Sequence, residues 1–431
     1  MKRFVTTAAL GAALFSCPSF ASPSFHDAGP NLTDGGASNV WTALYATRNP
    51  AGAEFAIAPR ARLRMGILSS IGIGSEVGPV DNFAEEIDDL IDELDRDNIT
   101  LSEGNALVER FNGLLETFGR DGYLKLHAGV QAPLFPILYR NRLGVFTFDA
   151  NMAGQARLGL LDAPLTYNPV SEELETASAV YVKGAQLGEL SVGFSRLAWT
   201  HDTGQLFVGG RIRYLHAALS KQVVALEAVE DGDDVEDVLR DSYDANERTS
   251  SNVTVDLGAI YSTSRYRVGL TLANLTEPEF EYGPIGVNCN SLTGTAQYNC
   301  FTALHFSDRI ALNETWTLER LATLEGEMLF AGGAGSISAT VDLNEVHDIV
   351  GDLNQGLTLA VGYKTQTPWL PDARLGYRKN LAGSQLSSVS LGVTFFNRLH
   401  LDVACGLEST DVDGSSLPRT LAFNLGFEMS Y

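Results

Sequence analysis

Apolar and polar residues alternate with a period of two over most of the chain beyond Gly122. Leu124, Leu126, Ala128 and Val130 alternate with Lys125, His127, Gly129 and Gln131, and Phe146, Phe148, Ala150 and Met152 alternate with Thr147, Asp149 and Asn151. Successive side chains of a strand point to opposite faces, so each run predicts a strand with one apolar and one polar face. Leu190, Val192 and Phe194 lead on to Trp199, His201 to Gly204 makes a turn, and Leu206, Val208, Ile212 and Tyr214 return with Arg211 and Arg213 on the other face. Val253, Val255, Leu257, Ala259 and Tyr261 turn at Thr263-Ser264 and return through Tyr266, Val268, Leu270 and Leu272. Turns this short join antiparallel neighbours. Further strands are predicted at Leu304–Leu312, Leu324–Phe330, Leu357–Tyr363, Leu375–Tyr377, Val389–Phe395 and Leu399–Val403. The strictest alternation closes the chain: Leu421, Phe423, Leu425, Phe427, Met429 and Tyr431 are apolar, with Ala422, Asn424, Gly426, Glu428 and Ser430 between them.

Arg60 to Gly74 reads as the first strand, and after it the period changes. Phe83–Asp95 and Ser102–Thr117 carry apolar residues at helical spacing. Ser102 stands in the N-cap place, and the polar face of the first helix is almost all Asp and Glu. They predict a helical hairpin inserted between two strands, its charge a solvated face. A divalent-cation or partner surface is the sharper alternative. Ser220–Ser250 is a second acidic insertion, whose centre Glu230–Asp237 lacks the later glutamate of an EF-hand loop. Asp342–Leu353 has helical spacing and predicts a third. Near the start, Ala37–Gly52 is spaced as a short helix that Asn49-Pro50 stops, because the residue before proline is pushed out of the helical region.

The location of these strands follows from the ends of the chain. Met1-Lys2-Arg3, the apolar run Phe4–Ser16 and Ser19-Phe20-Ala21 form a signal-peptide pattern with cleavage expected after Ala21. The run is shorter than the roughly 20 residues a membrane-spanning helix needs. A lipid-attachment box at Leu14-Phe15-Ser16-Cys17 is the weaker alternative, since Phe15 occupies a small-residue position. Residues 22–431 exceed the roughly 250–300 at which one soluble core stops growing, leaving two soluble domains or one large barrel. The mean hydropathy is +0.00, as expected of strands with one face to lipid and one to a lumen. Arg211 and Arg213 are too costly on a lipid face and fit the lumen. These observations predict an all-β chain, a single transmembrane antiparallel β-barrel of about fourteen strands. The predicted divisions are a signal peptide over 1–21, an N-terminal segment over 22–59 and the barrel over 60–431, with insertions at 76–121, 218–250 and 338–354.

Composition and motifs narrow the chemistry. A net charge of -23 argues against nucleic acid as a partner. Cys289 and Cys300, across a polar Gly-containing segment, predict a disulfide in an oxidising compartment, against two free thiols, and Cys405 reads as a small apolar side chain. The chain has no CxxC, G-x-S-x-G, H-E-x-x-H or phosphate-binding loop, and its histidines are scattered. No catalytic residue, metal site or cofactor is therefore assigned.

The Asn49-Pro50-Ala51 turn ahead of the first strand is similar to the FadL family of outer-membrane transporters and to their relatives, the TraF-like conjugal-transfer proteins. Asn274–Phe280, Leu359–Tyr363 and Arg374–Asn380 are further points of resemblance, and Asn424, Gly426, Met429 and Tyr431 resemble the signal by which outer-membrane barrels are handed to their assembly machinery. The resemblance implies the outer membrane of a Gram-negative bacterium, contact with its lipid, and an N-terminal hatch folded into the barrel. Trp41, Leu44, Tyr45, Asn49, Pro50 and Ala51 are then the ligand or hatch residues. FadL likeness implies passage of a hydrophobic molecule along an apolar lumen; TraF likeness implies a fixed part of a conjugation or secretion apparatus, with its proteins as partners. The long acidic insertions depart from a simple hydrophobic channel.

Overall fold

The computed structural model describes residues 28–34, 42–94, 98–228, 246–365, 369–412 and 414–430, with residues 96, 243 and 367. The signal peptide, Trp41, Tyr431 and the acidic centre 230–237 lie outside the described residues.

Fourteen antiparallel strands close into one barrel. β1 (Leu63–Val77) and β2 (Tyr123–Gln131, resuming at Ile137–Arg140) are followed by β3 (Val145–Leu161), β4 (Ala179–His201) and β5 (Gly204–Ala225). β6 (Arg248–Ser262) and β7 (Tyr266–Ala273) form a hairpin, followed by β8 (Leu321–Phe330), β9 (Gly335–Asp342) and β10 (Gly356–Tyr363). β11 (Asp372–Asn380), β12 (Ser387–Phe395), β13 (Leu399–Gly406) and β14 (Thr420–Ser430) complete the wall. β14 pairs back onto β1 through Met65↔Met429, Ile71↔Leu425 and Ile73↔Phe423, so no backbone edge faces lipid. Where β2 breaks, Leu134 N donates to Ile67 O at 3.0 Å and Gly66 N to Pro136 O at 3.2 Å. Ser69 Oγ donates to Phe135 O at 2.8 Å, so the wall stays continuous beside the bulges of β1.

The alternation sorts the two faces. Ile73, Leu190, Ile212, Met328 and Leu375 are exposed on the outer face, a belt for lipid. Trp199, Tyr266, Phe330 and Tyr363 stand exposed at the end with the short turns, where outer-membrane barrels carry an interfacial aromatic girdle facing the periplasm. Inward, the charges are buried in pairs, which burial requires: Arg211–Asp256 at 2.6 Å, Arg213–Glu189 at 2.7 Å and Arg267–Glu327 at 2.5 Å.

The long connections gather at the other end. Between β1 and β2, α3 (Phe83–Leu94) and α4 (Leu101–Asp121) form the predicted hairpin. The cap of α4 is Thr100, not Ser102: Thr100 accepts from Glu103 N while the Glu103 carboxylate accepts from Thr100 N, a capping box that begins the helix one residue ahead of Ser102. Phe111, Leu115 and Phe118 pack with Leu160, Leu165 and Leu226, on the outer face of the extended β3–β5 sheet. The Leu304–Leu312 expectation is corrected, because α5 (Gly294–His305) takes up its start and the chain after it runs in turns. Ala303, Phe306 and Ile310 pack against Leu161 and Val223, the inner face, so a helical stripe had read as a strand. Asp342–Leu353 is not helical either: it ends β9 and forms a small hairpin, Val346–His347 with Leu353–Asn354. Cys289 and Cys300 are bonded, with Cα atoms 5.4 Å apart, tying α5 to the turn before it.

Charge is divided as sharply as hydropathy. Residues 78–122 hold thirteen Asp and Glu against three Lys and Arg, 162–178 four against none, and 226–247 ten against one. Together these three segments account for the whole net charge of -23.

Candidate functional site

The N-terminal segment lies inside the barrel. Two short helices, α1 (Tyr45–Arg48) and α2 (Ala53–Ala56), flank a single turn at Pro50–Gly52, and the Asn49 side chain accepts from Ala51 N. Proline presets that turn and has no amide hydrogen to satisfy. The turn presses on strands β5 and β6 where both carry glycine. A Cβ on Gly209 would come 2.5 Å from Pro50, and one on Gly258 would come 2.1 Å from Asn49 Oδ1. Ser195 Oγ donates to Ala51 O at 3.0 Å, and Phe55 meets Phe207 with ring centroids 4.5 Å apart.

Buried carboxylates from the wall hold the rest. Glu325 Oε1 accepts from Asn49 Nδ2 at 2.7 Å and from the Tyr45 hydroxyl at 3.1 Å. Glu428 accepts from the Thr42 hydroxyl, from Ala43 N at 2.9 Å and from Arg64 at 2.7 Å. Asp402 accepts from the Thr33 hydroxyl at 2.5 Å and from Arg374 at 2.9 Å. Of the sequence-predicted residues, Leu44, Tyr45, Asn49, Pro50 and Ala51 are all buried here. Asn424 also reaches this site, accepting from Gly29 N at 3.3 Å. Gly426 sits against Ser69, where a Cβ would meet the carbonyl at 2.0 Å.

Sequence reasoning missed Gly29, Thr33, Asp34 and Thr42 on the segment, and Glu325, Arg374, Asp402 and Glu428 on the wall. The signal was present: each wall residue is a charge on the inward phase of an apolar strand.

Two cavities flank the segment. A chamber of about 320 Å³ lies between the segment's Ala28, Leu32 and Arg48 and the outer loop's Val346 and Asp348. Its lining mixes Ala128, Ala153, Leu321 and Leu357 with Lys125, His127 and Glu325. The outer loop is tied down: Asp348 Oδ2 accepts from Lys125 Nζ at 2.5 Å and from Gln155 Nε2 at 2.7 Å. Ile349 and Val350 pack against Phe280 and Trp316. A smaller cavity of about 40 Å³ lies at the short-turn end, lined by Asp34, Lys364, Arg374 and His400. The lumen around the segment is thus charged and hydrogen-bonded, unlike the apolar conduit that the resemblance implied. Among the described residues no group of three or more His, Cys, Asp or Glu is placed to hold a metal ion.

A family model described as "F plasmid transfer operon, TraF, protein" matches residues 46–343. The chain belongs to that family. Among solved structures, this TraF-family chain is similar to a Pseudomonas aeruginosa FadL homologue, with a TM-score of 0.42 and 12% identity over 96% of this chain and 99% of that one. The Pseudomonas putida toluene transporter TodX matches with a TM-score of 0.42 and 9% identity, over 93% of this chain and 96% of that one. No curated protein matches it significantly.

Proposed function

We propose that this outer-membrane barrel is a gated passage for small, largely apolar molecules, with the N-terminal segment as its hatch. The observation that carries the reading is the chamber of about 320 Å³ above that segment. Ligand sites of this kind are concave, about 300–1,000 Å³, and mostly apolar with a few placed polar groups. Ala128, Ala153, Leu321 and Leu357 supply apolar patches in a lining that also holds Arg48, Glu76, Lys125, Glu325 and Arg378. Residues 28–34 and 42–57 lie across the way down, so passage requires part of the segment to move. Lipid surrounds the belt, and the closing strand with Asn424, Gly426, Met429 and Tyr431 is proposed as the signal read by the assembly machinery. The test is native mass spectrometry of the detergent-purified protein after incubation with a graded series of alkylbenzenes. Saturable one-to-one binding, weakened at least tenfold by Leu321→Asp, supports the reading; no retention of any member argues against it.

The anchored outer loop favours a second reading. An outer loop fastened through Asp348, Ile349 and Val350 suits a fixed outer-membrane component of a conjugation or secretion apparatus. Co-purification of such proteins with the cross-linked barrel, in cells whose uptake of apolar compounds is unchanged by deleting the chain, would favour it.

A further inference from the structure

On the outside of the barrel, at the upper margin of the lipid belt, β5 and β6 bring a serine and a histidine together. Tyr214 and His216 stand on the opposite phase of β5 from Arg211 and Arg213, so they face away from the lumen and are exposed. The register of β5 and β6 places His216 opposite Ser251, which is also exposed, and Tyr214 opposite Val253. His216 Nδ1 lies 2.8 Å from Ser251 Oγ, and the Tyr214 hydroxyl donates to the same Oγ at 2.9 Å. Ser251 Oγ, accepting from Tyr214, keeps its own hydrogen for Nδ1. With the imidazole hydrogen on Nε2, His216 is the acceptor, and a positioned imidazole at about this distance draws the proton from a hydroxyl and makes it a nucleophile.

The height of the pair decides what it meets. His216 stands ten positions beyond Leu206, which pairs with Trp199 of the aromatic girdle. Ten residues advance about 33 Å along a strand and, at a tilt of about 40°, about 25 Å across the membrane, the height of the apolar band. Ser251 and His216 are therefore level with the headgroups and ester bonds of the outer leaflet. Leu190, Ile212 and Val253 are exposed just below them, a floor for acyl chains. On β4 the residue opposite His216 is Gly188, where a Cβ would meet nothing nearer than the His216 carbonyl at 3.8 Å, so the wall is recessed beside the imidazole. Above, Ala218 is buried and Ser220 Oγ donates to Tyr243 O at 2.9 Å, so the exposed pair occupies a ledge between the belt and the outer insertion.

We infer that Ser251 and His216 are the nucleophile and base of a site that hydrolyses fatty acyl esters of membrane lipids at the outer leaflet. Ser251 Oγ attacks the ester carbonyl carbon as its proton passes to His216 Nδ1, and the carbonyl electron pair moves onto oxygen. The Tyr214 hydroxyl, already a donor beside Oγ, is the group within reach of that oxyanion. Collapse of the tetrahedral intermediate breaks the bond to the lipid alcohol, which leaves with the proton from His216. Water then attacks the acyl-serine, giving its proton to His216 and, on collapse, releasing the fatty acid and restoring Ser251. This chemistry lies outside the wall and is independent of any passage through the lumen.

The test uses the full-length barrel reconstituted into two kinds of vesicle, one with radiolabelled ester-linked chains on phosphatidylethanolamine and one with them on lipopolysaccharide. Release of labelled fatty acid from at least one is expected, and which one identifies the lipid. Ser251→Ala and His216→Gln, purified in parallel, should lower that release by about a hundredfold or more, and Tyr214→Phe by about a hundredfold. All three side chains are exposed, so the heat-modifiability midpoint should stay at the parent's. A fluorophosphonate should form an adduct at Ser251 in the parent and fail to do so in His216→Gln, a difference that a merely structural hydrogen bond would not produce. Release from neither vesicle, release that survives Ser251→Ala, or equal adduct yields in the parent and His216→Gln would overturn the inference.

Discussion

Gly29 N donates to Asn424 Oδ1 at 3.3 Å, joining the start of the N-terminal segment to the strand that closes the barrel. The Ser70 hydroxyl donates to the same oxygen at 3.1 Å. β14 therefore seals the wall with its apolar face and grips the plug with its polar one. Glu428, four residues on, does the same for Thr42 and Ala43.

Glu428→Ala leaves the Arg64 guanidinium buried beside the plug without its carboxylate. Removing one partner of a buried pair costs about 3–5 kcal/mol. The heat-modifiability midpoint of the detergent-purified barrel should fall markedly. Glu428→Gln, which keeps an acceptor for Ala43 N, should fall less; equal midpoints for both variants and the parent would refute a clamping role.

Gly258→Ala places a methyl group 2.1 Å from Asn49 Oδ1 and 3.0 Å from Pro50. Overpacking of this kind costs about 1–3 kcal/mol, and here the plug is the part able to shift. Increased labelling of Ala51→Cys by a water-soluble maleimide in the Gly258→Ala background is expected. A barrel that is destabilised while Ala51→Cys stays protected would mean that the wall yields instead.

Lys125→Met strips Asp348 of its cation while leaving Gln155 and the loop amides bonded to it. The outer loop 343–355 should become a proteinase K site in intact cells. Resistance equal to the parent's would show that Ile349 and Val350 hold the loop without the ion pair.

Acid should loosen the outer insertions before the barrel. The Thr100 hydroxyl and amide hold the Glu103 carboxyl below its ordinary 4.5, and the Asp411 amide and Thr410 hydroxyl hold Asp81 below 3.8. A depressed carboxylate stabilises the fold above its unfolded-state pKa and loses that contribution as pH falls through the folded one. Protection of the Glu103 and Asp411 amides against hydrogen exchange should therefore drop below about pH 4 and hold steady above pH 6. Thr100→Val should remove the dependence at Glu103 alone.

The wall was legible because a strand's period is local. Leu421 to Met429 needs no partner to show its two faces, and Arg211 and Arg213 reveal the lumen by their cost in lipid. The helix at Gly294–His305 was misread because its apolar residues serve the inner face of a sheet extension that only the fold creates. Asp342–Leu353 misled for a similar reason: Ile349 and Val350 are apolar to fit Phe280 and Trp316, not to make a helical stripe. At the site, Asn49 and Pro50 announced a turn by themselves, whereas Glu325, Asp402 and Glu428 acquire meaning only beside residues some 270 to 390 positions away. Nothing local distinguishes a lumen carboxylate that grips a plug from one that pairs with a neighbouring strand.

The most direct test of a hatch-gated passage is uptake of a small apolar fluorophore, N-phenylnaphthylamine, by intact cells producing the Thr33→Cys, Asp402→Cys pair in the Cys405→Ser background. Uptake should rise above that of cells lacking the chain when the pair is reduced and return to their level when it is oxidised. Uptake equal to that of cells lacking the chain in both states would contradict passage, and uptake indifferent to oxidation would contradict the hatch.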